Sequence, residues 1–118
     1  NSCMIVVATD APLDARQLRR LANRAVFALR GTGSDFAQGS GDYAISVSVG
    51  TGAPPSDDDL SPAFLATMEA VEEALVNSVL RAETRVGFEG RTAHAVPIAE
   101  VRRRLARAGI GADSLLSR

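Results

Sequence analysis

Residues 3–12, CMIVVATDAP, decide how this chain folds. Cys3, Met4, Ile5, Val6, Val7 and Ala8 follow one another without polar alternation, the pattern of a β-strand covered on both faces. Thr9, Asp10, Ala11 and Pro12 break the run and end the strand. A strand so hidden needs neighbours on each side, and a chain of 118 residues offers few. Together with the lack of an initiator Met before the strand, this predicts a piece of a larger polypeptide.

Moving outward, Asp14 is placed to cap a helix of about 16 residues that Gly31 would stop. Leu18, Leu21, Ala22, Ala25, Val26 and Leu29 recur at helical spacing, with Arg16, Arg19, Arg20, Asn23 and Arg30 toward the other side. That predicts an amphipathic helix laid on a sheet, its Arg row a solvated face or a subunit contact. After the Gly- and Ser-rich segment 31–41, Tyr43, Ile45, Val47 and Val49 alternate with Ala44, Ser46 and Ser48, which predicts a half-buried strand. Residues 50–60, GTGAPPSDDDL, read as an exposed loop.

Ser61 and Pro62 then suit the cap and first turn of a long helix. Its stripe is Leu65, Met68, Val71, Leu75 and Val79, and Ala66, Ala70 and Ala74 would let another backbone lie close. A short apolar segment, TAHAVP at 92–97, leads into a last helix from Pro97 to Ala108, ended by Gly109. The order strand, helix, strand, long helix, short helix predicts one layered unit over residues 1–118, an α/β sandwich.

Composition removes several function classes. The 13 basic residues are all Arg and are balanced by 14 acids, so no large positive field exists for nucleic acid. Cys3 is the only cysteine, which excludes an intrachain disulfide, and beside the single His94 it cannot build a zinc site. Asp57, Asp58 and Asp59 lack the alternating spacing and distal Glu of a calcium loop, and the Gly-rich segments lack the Lys of a phosphate loop. No metal and no cofactor is expected. No apolar run reaches the roughly 20 residues of a membrane span, so the chain is expected to be soluble, with cytoplasm and periplasm both open. Cys3 is expected to pack as a small hydrophobe, and His94 as a packed, hydrogen-bonded side chain.

The position of Ser2 is what makes it chemically interesting. Were the peptide bond before it cut, its α-amine, with a reference pKa of about 8, would lie within reach of its own hydroxyl. One residue would then hold both nucleophile and base. The same hydroxyl could make the cut by attacking the Asn1 carbonyl, shifting the acyl group to oxygen and leaving an ester for water. Taken without context, Ser2 reads as a polar residue leading a strand, and Gly39, Ser40, Gly41 and Asp42 suit a tight turn equally well.

The stretches NSCMIVVATDAPLDARQLRRLA and GSGDYAISVS, in that order, resemble the β subunit of the DmpA family of peptidases, peptidase family S58. That family contains L-aminopeptidase/D-amino-acid esterase-amidases and β-peptidyl aminopeptidases. The likeness covers nearly the whole chain, with weaker echoes in MEAVEEALVNSVLRAE and TAHAVP. It implies an αββα sandwich resembling N-terminal-nucleophile hydrolases, with this chain as the C-terminal subunit and the N-terminal subunit absent. It further implies self-cleavage between Asn1 and Ser2, Ser2 as nucleophile, and Ser40 and Asp42 beside its amine. In some family members Glu stands where this chain has Asp42. A mature member would begin at Ser2, whereas here Asn1 still acylates its amine. The implied partners are the N-terminal α subunit of the same precursor, a small peptide or amino-acid amide as substrate, and further copies in a homo-oligomer of heterodimers. A related amide hydrolase or acyltransferase acting on pantetheine-type amides, and a non-catalytic α/β ligand-binding module, stay open as alternatives.

Overall fold

The computed structural model describes residues 2–111. Contacts divide the chain into two compact units, 1–76 and 77–118. In the first, β1 (Met4–Thr9) and β2 (Tyr43–Ser48) form a parallel pair, in register from Met4 opposite Tyr43 to Thr9 opposite Ser48. Parallel strands cannot be joined by a tight turn, and α1 (Ala15–Ala28) makes the crossover. A short 3₁₀ helix (Asp57–Leu60) then runs into α2 (Ser61–Leu80), which continues past the boundary between the units.

The start of α1 is fixed by a capping box. Gln17 N donates to Asp14 Oδ1 at 2.7 Å, and Asp14 N donates back to Gln17 Oε1 at 3.2 Å. Gln17 is 2% exposed, and its Nε2 donates to Pro55 O at 2.8 Å, so one side chain caps the helix and anchors the loop after β2. Asp57 accepts from Arg16 and Arg20 at 2.6 and 3.0 Å, and the guanidinium groups of Arg20 and Arg24 lie over the Phe64 ring. Arg16 and Arg20 of the Arg row, and Arg24 beside it, thus link α1 to neighbouring elements. The Asp-rich run is exposed, as expected, and it is ordered as a 3₁₀ turn capped by Ser56.

Both helices pack on the same face of the sheet. Leu13, Leu21 and Leu60 form one buried cluster with Val7, Leu18 and Phe64 around it. Ala25, Ala28 and Val71 form the other, against Ile5, Val7 and Ala44. Full burial of a Leu contributes about 1.5–3 kcal/mol, and the small Ala side chains let α1 approach the strands closely. Met68 and Leu75 of α2 join this core, whereas Leu65 and Val79 stay exposed.

The sheet departs from its sequence-based reading in which faces are covered. Cys3 to Ala8 predicts cover on both sides, yet Met4 and Val6 are each 71% exposed. In β2 the side facing the helices carries Ala44, Ser46 and Ser48, and the large residues Tyr43, Ile45 and Val47 point to the open side. Alternation shows that a strand has two faces but not which one its own chain covers. Here helix contact selects the small residues, and the apolar face has no cover among the described residues.

The second unit contains a two-stranded antiparallel hairpin, β3 (Arg85–Val86) and β4 (Thr92–Ala93), and α3 (Ile98–Arg107). Gly109, at φ 72°, ends α3 as predicted, with Ile110 N donating to Leu105 O and Gly109 N to Ala106 O. His94, expected to be packed, is exposed beside β4, because so short a hairpin has no layer over it among the described residues. No described helix is long and apolar enough to cross a membrane. The chain has an α/β fold: helices on one face of a parallel sheet, followed by a small hairpin and helix.

Candidate active site

Parallel pairing sets the N-terminal ends of β1 and β2 side by side, so the residues leading into each strand meet. Tyr43 N donates to Cys3 O at 3.1 Å and opens the ladder. One step back, Cys3 N donates to Asp42 Oδ1 at 2.8 Å, and Ser40 Oγ donates to Asp42 Oδ2 at 2.6 Å. Gly41 N donates to Ser2 Oγ at 2.9 Å. The structure therefore gathers Ser2, Ser40 and Asp42 at one sheet end. Asn1, on the other side of the bond before Ser2, lies outside the described residues.

Ser2 is exposed, whereas Cys3, Ser40 and Asp42 are half-buried. The hydroxyl is thus open to an incoming molecule, and the carboxylate is sheltered beside it. The Ser40 hydroxyl, and after it the Cys3 amide, hold the Asp42 carboxyl below its usual range, against a smaller opposing effect of burial. Asp42 therefore stays charged through neutral pH. A fixed negative group there can stabilise a nearby ammonium, and an N–H aimed at Oγ can stabilise charge developing on that oxygen.

Gly41 touches the candidate nucleophile, whereas the sequence reading treats it only as part of a turn. A Cβ built on it would stand 3.2 Å from Ser2 Oγ, so a side chain there would press on the hydroxyl that its N–H holds. A glycine between two polar site candidates was the available signal. Asp42 and Tyr43 also wall a groove of about 320 Å³ with Asn23, Val26 and Phe27 of α1.

The sequence model for peptidase family S58 matches residues 1–93, which include Ser2, Ser40, Gly41 and Asp42. The chain belongs to peptidase family S58. It is 35% identical over 113 residues to a β-peptidyl aminopeptidase of Sphingosinicella microcystinivorans, an alignment covering 86% of this chain and 28% of that protein. Among solved structures, it superposes on a Pyrococcus horikoshii OT3 protein with a TM-score of 0.79 at 40% identity. It also superposes on the L-aminopeptidase D-Ala-esterase/amidase of Ochrobactrum anthropi with a TM-score of 0.78 at 30% identity. Each structural match covers 89% of this chain and 33% of the other. The Ochrobactrum enzyme is described as a prototype for the serine aminopeptidases and a variant of the Ntn hydrolase fold. The S58 chain shares that fold class and spans about a third of the length of these relatives.

Proposed function

We propose that this chain is the nucleophile-bearing C-terminal part of a self-processing serine aminopeptidase. The observation that carries the reading is the Gly41 N–H on Ser2 Oγ, beside a carboxylate held by Ser40 and Cys3. Membership of peptidase family S58 and the aminopeptidase activities of two similar proteins support it.

Maturation begins when Ser2 Oγ attacks the Asn1 carbonyl carbon. The amide nitrogen of Ser2 leaves with a proton, the acyl group passes to oxygen as an ester, and water hydrolyses that ester. The products are a carboxylate on Asn1 and a free amine on Ser2. With a reference pKa of about 8, this amine accepts the hydroxyl proton as Oγ attacks a substrate amide carbonyl. Asp42, with Ser40 on its second oxygen, stabilises the resulting ammonium. The ammonium then gives its proton to the departing amine, leaving an acyl-enzyme ester on Ser2 that water cleaves to an acid and the free hydroxyl.

The substrates of this reading are small peptides or amino-acid amides with an unblocked N-terminal residue. The partner is the N-terminal part of the same precursor, which would cover the apolar face of Met4, Val6, Tyr43 and Ile45 and supply donors for the oxyanion. Further copies would join as an oligomer of heterodimers. The test is Ser2→Ala in the full-length protein. The expected result is an uncut chain without turnover, and retained activity would contradict the mechanism.

A further inference from the structure

Side chains alternate between the two faces of a strand, and along β1 and the residues leading into it the exposed set is Ser2, Met4, Val6 and Ala8. Tyr43, Ile45 and Val47 are the exposed set of β2. Met4 stands opposite Tyr43 in the parallel register, and two residues back along each strand Gly41 N donates to Ser2 Oγ at 2.9 Å. The open face of the sheet therefore begins at Ser2, and Met4 with Tyr43 forms its next row.

Of the β1 and β2 side chains on that face, only Tyr43 carries an oxygen or a nitrogen. Its Oη donates to Met4 Sδ at 2.7 Å, so the phenol leans across to β1 and ends against the residue two places from Ser2. A thioether is a weak acceptor, and among the described residues no group donates to the phenol oxygen. In the reading above, the N-terminal part of the precursor lies over this face. An oxygen enclosed there without a donor would cost free energy that a phenylalanine at the same position would not. Tyr43 is still 58% exposed in this chain, so the hydroxyl is open to a donor brought by a bound molecule.

We infer that Tyr43 contacts the substrate, its phenol oxygen accepting the N–H of the scissile amide while Ser2 Oγ attacks the adjoining carbonyl. This inference rests on the aminopeptidase reading above. Residues two apart on a strand are separated by about 6.6 Å. A carbonyl carbon poised for attack lies about 3 Å from the nucleophile, its nitrogen about 1.3 Å further, and an acceptor for that N–H about 3 Å beyond. Those lengths bridge from Ser2 to a hydroxyl resting on Met4. Holding the N–H fixes the direction in which the leaving nitrogen's lone pair develops, and with it access to the proton on the Ser2 ammonium. Tyr43 itself moves no proton; it distinguishes an amide, which carries that hydrogen, from an ester, which does not.

The experiment uses full-length, self-processed protein and compares wild type with Tyr43→Phe, which keeps the ring and removes only the hydroxyl. The probes are leucine N-methylamide and leucine methyl ester, alike except that the N–H of one is an oxygen in the other. Tyr43→Phe is expected to be cut before Ser2, to assemble and to melt as wild type does. Its kcat/KM should fall about tenfold for the amide, the effect of losing one hydrogen bond, and by less than about twofold for the ester. An equal change for both probes, a larger loss for the ester, or no change would overturn the proposal and leave the aminopeptidase reading standing. A Tyr43→Phe protein that stays uncut or fails to assemble would assign the hydroxyl to the contact between the two precursor parts and also overturn it. Absence of turnover by wild type on both probes would remove the aminopeptidase reading and this inference with it.

Discussion

The amide of Gly41 donates to Ser2 Oγ at 2.9 Å, joining two residues 39 positions apart across the leading ends of paired strands. This contact exists only because β1 and β2 run parallel and in register from Met4 and Tyr43. The residue two places before each strand is thereby delivered to the same place.

Gly41→Ala tests how closely that contact must be kept. The new Cβ would sit 3.2 Å from Oγ, near enough to displace the hydroxyl by a few tenths of an ångström. In the full-length protein we expect kcat to fall at least about tenfold with little change in melting temperature, because reaction rates respond steeply to small misplacements. Steady-state kinetics beside a thermal melt check this.

Gly50 sets a structural limit at the opposite end of the strands. A Cβ there would lie 2.1 Å from Asp10 O, 2.6 Å from Ala11 C and 2.7 Å from Pro12 N, all of them backbone atoms. Around it, Ser48 Oγ donates to Ala11 O at 2.5 Å and accepts from Gly50 N at 3.0 Å, so a shift of the turn would disturb both bonds. Gly50→Ala should destabilise the protein by about 3 kcal/mol, read by denaturant unfolding.

Much of this architecture is legible in the residues. Asp14 marks the start of α1, the apolar run marks β1, and Gly109 ends α3. Three features are not legible, each for a physical reason. The covered side of β2 depends on what packs there, and alternating Tyr43, Ile45 and Val47 with Ala44, Ser46 and Ser48 is compatible with either choice. Gln17, a polar residue in a first helical turn, looks solvated until Pro55 and Asp14 claim its amide. The hairpin of β3 and β4 is too short to carry any periodicity. At the site, neither composition nor spacing brings Ser2 to Ser40 and Asp42. Only the family resemblance suggests it, because a contact across a strand pair leaves no local pattern.

Asp57 gives the fold a defined acid response. Its hydrogen bond from Arg16, opposed in part by desolvation and helped by Gln17 and Arg20, lowers its pKa from 3.8 to about 2. A carboxyl whose folded value is depressed stabilises the fold fully above its unfolded value, and that contribution disappears as pH falls from about 4 through 2. Asp57→Asn should therefore melt lower than wild type at pH 6, with the gap closing by pH 2. Thermal melts across that range decide it; a gap independent of pH would contradict the ion-pair account.

In the proposed reaction Ser2 becomes a chain end and then carries the acyl group. The most direct test of this reaction is the intact mass of the purified full-length gene product before and after treatment with a serine-directed acylating inhibitor. The account predicts two polypeptides divided immediately before Ser2, with the adduct on the fragment that begins there. A single uncut polypeptide that still turns over substrate would contradict it.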